Sequence, residues 1–104
     1  MINTFDDNNW ENIKKEEISV IRFSASWCSP CKELTPILEK LSKNFEGKAT
    51  FYYADVEEGG LNKGSELGIR GVPSTILFKR GVEVDRLVGY PGEAKVAEWL
   101  SKNI

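Results

Sequence analysis

One point in this chain, where a strand pattern gives way to a long helix pattern, holds both of its cysteines. Val20-Ile21-Arg22-Phe23 has the character of a buried strand, while Leu34, Ile37, Leu38, Leu41 and Phe45 recur at the spacing of a helix packed on a sheet. Between them lies Trp27-Cys28-Ser29-Pro30-Cys31-Lys32. A helix N-terminus offers free N–H groups and the positive end of a dipole, and both favour an anion. A thiol placed there can ionise well below its usual pKa of about 8.5. Lowering it by about 1.5 units corresponds to roughly 2 kcal/mol of thiolate stabilisation. Two sulfurs this close together can also close a disulfide, so the motif reads as a dithiol–disulfide switch.

Two other uses of such a pair fit less well. Structural zinc needs four ligands, and the chain has no histidine and no second cysteine pair. A purely structural disulfide around so short a loop constrains the unfolded chain little, and a hydrophobic core is available without it. Strand, Cys-x-x-Cys and helix within an alternating βα pattern point to redox chemistry.

The 104 residues, 40% hydrophobic and 11% aromatic, suffice for a core and predict a single domain over 1–104. A net charge of −2 supplies no basic footprint for nucleic acid. Met1-Ile2-Asn3-Thr4-Phe5-Asp6-Asp7 lacks the basic and apolar regions of a secretory signal, and no apolar run approaches membrane-spanning length. The expectation is a soluble cytoplasmic protein in a reducing compartment, where a lone cysteine pair serves catalysis more often than structure.

Along the chain, Ile2 to Phe5 predicts a short edge strand, and Asp6-Asp7-Asn8-Asn9 supplies caps for a helix from Trp10 to Lys15. Ser19 to Ala25 is the buried strand. The helix after the cysteines should be kinked at Pro36 and end at Gly47. Thr50 to Val56 is β-rich, whereas the glycines of 57–64 weaken any helix before Leu67. Thr75 to Phe78 and Val82 to Val88 form a hairpin through Lys79-Arg80-Gly81. Glu93 to Asn103 is a closing helix with Val96, Leu100 and Trp99 inward; Trp10 and Trp99 are read as helix-packing residues. The order β-α-β-α-β-α-β-β-α predicts an α/β fold, a central mixed sheet of about five strands with helices on both faces.

Phe23-Ser24-Ala25-Ser26-Trp27-Cys28, Pro30-Cys31-Lys32, Pro36, Gly68-Ile69-Arg70-Gly71-Val72-Pro73-Ser74-Thr75, Leu77-Phe78-Lys79-Arg80-Gly81 and Val88-Gly89 follow one another at family-like spacing. Over essentially its whole length the chain resembles the thioredoxin family. The resemblance implies the thioredoxin fold and reduction of protein disulfides by dithiol–disulfide exchange. Cys28 would be the nucleophile that forms a mixed disulfide, and Cys31 the thiol that resolves it. No bound cofactor and no metal are implied, since the disulfide itself carries the electrons. The partners implied are disulfide-containing proteins and a reductase, either an NADPH-using flavin enzyme or a ferredoxin-dependent one; the protein would be a monomer. Pro73 would follow a cis bond beside the cysteines, within a flat apolar rim of Trp27, Pro30, Val72, Pro73, Val88 and Gly89, with Val56 and Gly71 at its periphery. Glutaredoxins differ, with proline-tyrosine between the cysteines. An oxidase or isomerase of the same fold would call for an oxidising compartment. Outside enzymes, the alternative is a redox-sensing binding module without turnover.

Three positions depart from the family pattern. Arg22 stands where most members carry a buried aspartate credited with taking a proton from the resolving cysteine, and a guanidinium cannot do that. Tyr53 aligns with the lysine that usually partners the aspartate. Ser29 replaces the glycine between the cysteines. Arg22 can either reach beneath the site, where its charge favours thiolate and raises the reduction potential, or extend its head to solvent.

Overall fold

A computed structural model describes residues 2–104. Its five strands are β1 (Asn3–Thr4), β2 (Ile18–Ser24), β3 (Thr50–Asp55), β4 (Ser74–Lys79) and β5 (Val82–Val88). They form one sheet in the order β1-β3-β2-β4-β5. β1 and β2 run parallel to β3, and β4 and β5 complete the sheet in antiparallel pairing. The helices are α1 (Trp10–Ile13), α2 (Ser29–Ser42), α3 (Leu61–Glu66) and α4 (Glu93–Asn103), with 3-10 turns at Asp7–Asn9 and Lys43–Phe45.

Strand alternation sends side chains to two separate cores. From β2, Val20 joins Leu34, Leu38 and Leu41 of α2 and Val96, Trp99 and Leu100 of α4. Ile21 and Phe23 point the other way, to Phe5, Ile13, Ile76 and Phe78. The sheet therefore carries α2 and α4 on one face and α1 on the other. By the same alternation Arg22 lies on the α2 face with Val20. Trp99 fills its inward place and donates its indole N–H to Asp85 Oδ2 at 2.9 Å. Trp10 packs edge-on against Phe78 at 5.1 Å between centroids.

Element boundaries shift from the sequence expectation for local reasons. The first helix is a single α-turn over Trp10–Ile13, entered from the Asp7–Asn9 turn, which Asp6 caps by accepting the Asn8 N–H at 2.9 Å. Pro36 lies inside α2, which continues past it to Ser42 and tightens into the Lys43–Phe45 turn before Gly47. The hairpin turn is Arg80-Gly81 alone, both at positive φ (51° and 81°), as a two-residue connection between twisted strands requires.

α3 is the third helix that the element order places between β3 and β4; it forms over Leu61–Glu66, in the segment whose glycines weaken a helix. Gly64 faces the second core, where a Cβ would meet Val56 Cγ1 at 3.4 Å and Phe23 at 3.8 Å. Close packing thus offsets the poor propensity. The missing cap arrives from a distance: Asp7 accepts the N–H groups of Asn62 (3.0 Å) and Lys63 (2.9 Å). So short a helix is marginal without such support. Asp7→Ala is expected to lower stability by about 1 kcal/mol, the usual worth of a side-chain N-cap. Urea unfolding with an unchanged slope would register this as a lower midpoint.

Candidate active site

The C-terminal end of β2 leads through Ala25 to Trp27 into the cysteines. Cys28 has extended backbone (φ −89°, ψ 107°) and is the N-cap of α2; its Sγ accepts the Cys31 N–H at 3.2 Å. A cysteine thus occupies a place usually taken by an oxygen side chain. Pro30 in the first turn sacrifices no helical bond, because N–H groups there have no partner within the helix. Cys28 and Cys31 are joined in a disulfide, their Cα atoms 5.3 Å apart. Cys28 stands at the open end of the helix and Cys31 one turn further in. In the disulfide form both are 3% exposed, so position on the helix distinguishes them and burial does not.

Three more segments reach the same end of the sheet. Ser74, the first residue of β4, pairs with Phe23 near the end of β2 and with Val88 at the end of β5. The Val72–Pro73 bond is cis. Gly89 N–H donates to Pro73 C=O at 2.7 Å, which joins Val72-Pro73 to Val88-Gly89. Trp27 is 69% and Val88 64% exposed, and Ser29, Pro30 and Gly71 are also exposed, with Val72 half-buried. Pro73 itself is buried, so its ring belongs beneath the rim rather than on it. Val56 follows β3 at this end and packs against the core.

Arg22 turns inward. Only 6% exposed, it donates from Nη1 to the Cys31 carbonyl at 2.8 Å and to Thr35 Oγ1 at 2.9 Å. The Thr35 hydroxyl donates to the same carbonyl at 3.0 Å. The guanidinium lies 4.3 Å from the centroid of the Tyr53 ring, and the Tyr53 hydroxyl donates to the Thr35 carbonyl at 3.1 Å. Arg22 Nε is buried without a partner. Burial pushes the guanidinium below its usual range, against the opposing influence of Tyr53. Burial likewise raises the Tyr53 hydroxyl; Arg22 opposes that rise and Glu39 adds to it. Thr35 is the residue the sequence reading missed. Its signal was available, one helical turn after Cys31 on the same face of α2. Among the described residues no group of three His, Cys, Asp or Glu could hold a metal ion.

The thioredoxin family model matches residues 1–102. The chain belongs to the thioredoxin family. It is 37% identical over 103 residues to the thioredoxin of Rickettsia bellii, and 34% identical over 103 residues to that of Rickettsia conorii. In each case the match covers 98% of this chain and 97% of the relative. Among solved structures, the thioredoxin of Malassezia sympodialis superposes with a TM-score of 0.88 at 30% identity, covering 98% of this chain and 90% of that one. The five-stranded mixed sheet with helices on both faces is the thioredoxin fold. The chain is a thiol–disulfide oxidoreductase of the protein-disulfide reductase type, and Cys28–Cys31 is its redox-active disulfide. Family membership implies a thioredoxin reductase and disulfide-containing proteins as partners. Among the described residues no helix is long and apolar enough to cross a membrane.

Proposed function

We propose that Cys28 is the attacking thiol and Cys31 the resolving one. The observation that supports this most is the Cys31 N–H donated to Cys28 Sγ at the N-cap of α2. In the reduced protein the same donor and the positive end of the helix would stabilise a Cys28 thiolate. That thiolate attacks one sulfur of a target disulfide, forming a mixed disulfide and releasing the other sulfur as a thiolate that takes a proton. Cys31, as thiolate, then attacks Cys28 Sγ. The Cys28–Cys31 disulfide closes, and the target leaves reduced by two electrons.

Trp27, Pro30, Val72, Val88 and Gly89 supply the surface against which an extended target segment lies, over the buried Pro73. Gly89 has no side chain to hold another backbone away. Ser29, exposed between the two sulfurs, adjusts the pair. A cytoplasmic, monomeric protein re-reduced by a thioredoxin reductase, flavin-dependent or ferredoxin-dependent, is the setting this chemistry fits.

Insulin reduction with dithiothreitol as electron source provides the test. The wild type should accelerate the appearance of insulin precipitate, and Cys28→Ser should return the rate to that of dithiothreitol alone. An accelerated rate in Cys28→Ser would remove the assigned nucleophile, and a wild type without acceleration would indicate a binding module.

A further inference from the structure

Arg22 poses a problem that the exchange reaction has not used. A buried cation ordinarily has an anion beside it, because desolvating an unpaired charge is expensive. Here the neighbours of the guanidinium are the Cys31 carbonyl, the Thr35 hydroxyl and the Tyr53 ring, none of them charged. Thr75, its partner across β4, is neutral too. Glu39, farther along α2, acts on the Tyr53 hydroxyl and forms no ion pair with Arg22. No salt bridge holds Arg22 among the described residues.

In the disulfide state nothing at this spot carries negative charge. The reduced state can supply one: the guanidinium is hydrogen-bonded to the backbone of the very residue whose sulfur is released when the disulfide opens. We infer that Arg22 is a positioning residue whose fixed charge enlarges the thiolate fraction of Cys31, so that resolution of the mixed disulfide proceeds without a neighbouring base. This rests on the assignment of Cys31 as the resolving thiol. The proton leaves for solvent, not for Arg22, since a guanidinium already carries all the protons it can hold. The Cys31 thiolate then attacks Cys28 Sγ, the bond between Cys28 and the target breaks, and the target sulfur departs with the electron pair.

Two influences act on Cys31 in opposite directions, which makes the inference testable. Apolar burial raises a thiol pKa above about 8.5, and an adjacent cation lowers it. If the charge acts as inferred, its removal should raise the Cys31 pKa by about one unit, a tenfold fall in thiolate at neutral pH. The resolution rate should fall less. A more basic thiolate is a better nucleophile, with a Brønsted coefficient of about 0.4–0.5, so the net slowing at pH 7 is roughly threefold.

The experiment is an ultraviolet thiolate titration in the Cys28→Ala background, where Cys31 is the remaining thiol. It reports on Arg22 whichever cysteine attacks first, so a failure here is separate from a reversal of the cysteine roles. Cys31 should titrate below about 8.5 with Arg22 present, about one unit higher in Arg22→Met, and at least halfway back in Arg22→Lys. Equal pKa values in the Arg22 and Arg22→Met proteins would overturn the inference, as would equal elevation in Arg22→Lys and Arg22→Met, which would make shape the agent and not charge. Should Arg22→Met fail to fold, the Cys28→Ala protein decides alone, and a Cys31 pKa above the ordinary thiol value refutes the assignment.

Discussion

Cys31→Ser should arrest the protein as a covalent adduct with its target. Cys28 can still attack, but a serine hydroxyl cannot displace a thiolate from the mixed disulfide. Insulin reduction should fall to the dithiothreitol background, while a species of the combined mass builds up on non-reducing electrophoresis and vanishes under excess reductant. Cys28→Ser should give no such adduct. The contrast between the variants carries the assignment, because both cysteines are equally buried in the disulfide form. An adduct formed by Cys28→Ser and missing from Cys31→Ser would exchange the two roles.

Phe23→Ala should be the most damaging single truncation near the site. Its ring is fully buried in β2, flanked by β3 and β4, with centroids 6.2 Å from Phe5 and an edge against Gly64. Close packing on all sides leaves little room for collapse, so the expected loss is about 3–5 kcal/mol. Against a total of about 5–15 kcal/mol for a domain, that leaves a substantial unfolded population near the lower end. Urea denaturation should show a lower midpoint with the slope retained. Insulin reduction should decline with the folded fraction, because β2 carries the cysteine loop. A loss of under about 1 kcal/mol would mean that the second core refills the space.

Much of this was written in short-range pattern. The strand–Cys-x-x-Cys–helix junction, the stripe from Leu34 to Leu41 and the hairpin around Arg80-Gly81 each reflect a local rule of period, cap or turn, and such rules can be read without knowing what lies across the sheet. The spacing of the cysteines likewise determined that they could pair, and their place before a helix determined which end of the dipole they meet. The order of elements called for α3, but its bounds were not legible, because what holds it comes from elsewhere. Asp7 lies more than fifty residues earlier in the chain, and Gly64 is favoured only where Phe23 and Val56 press against it.

Arg22 marks the division most sharply. Its identity, and the absence of an aspartate there, are plain in the sequence, but whether its head went to solvent or to the cysteines was open. A flexible side chain takes its direction from the neighbours it finds, and these come from α2 and β3. The sequence by itself determined that a cation stands six residues before the first cysteine. Only the tertiary structure decided that it would be buried without an anion against Cys31, because only packing brings the Cys31 carbonyl, Thr35 and the Tyr53 ring to one place.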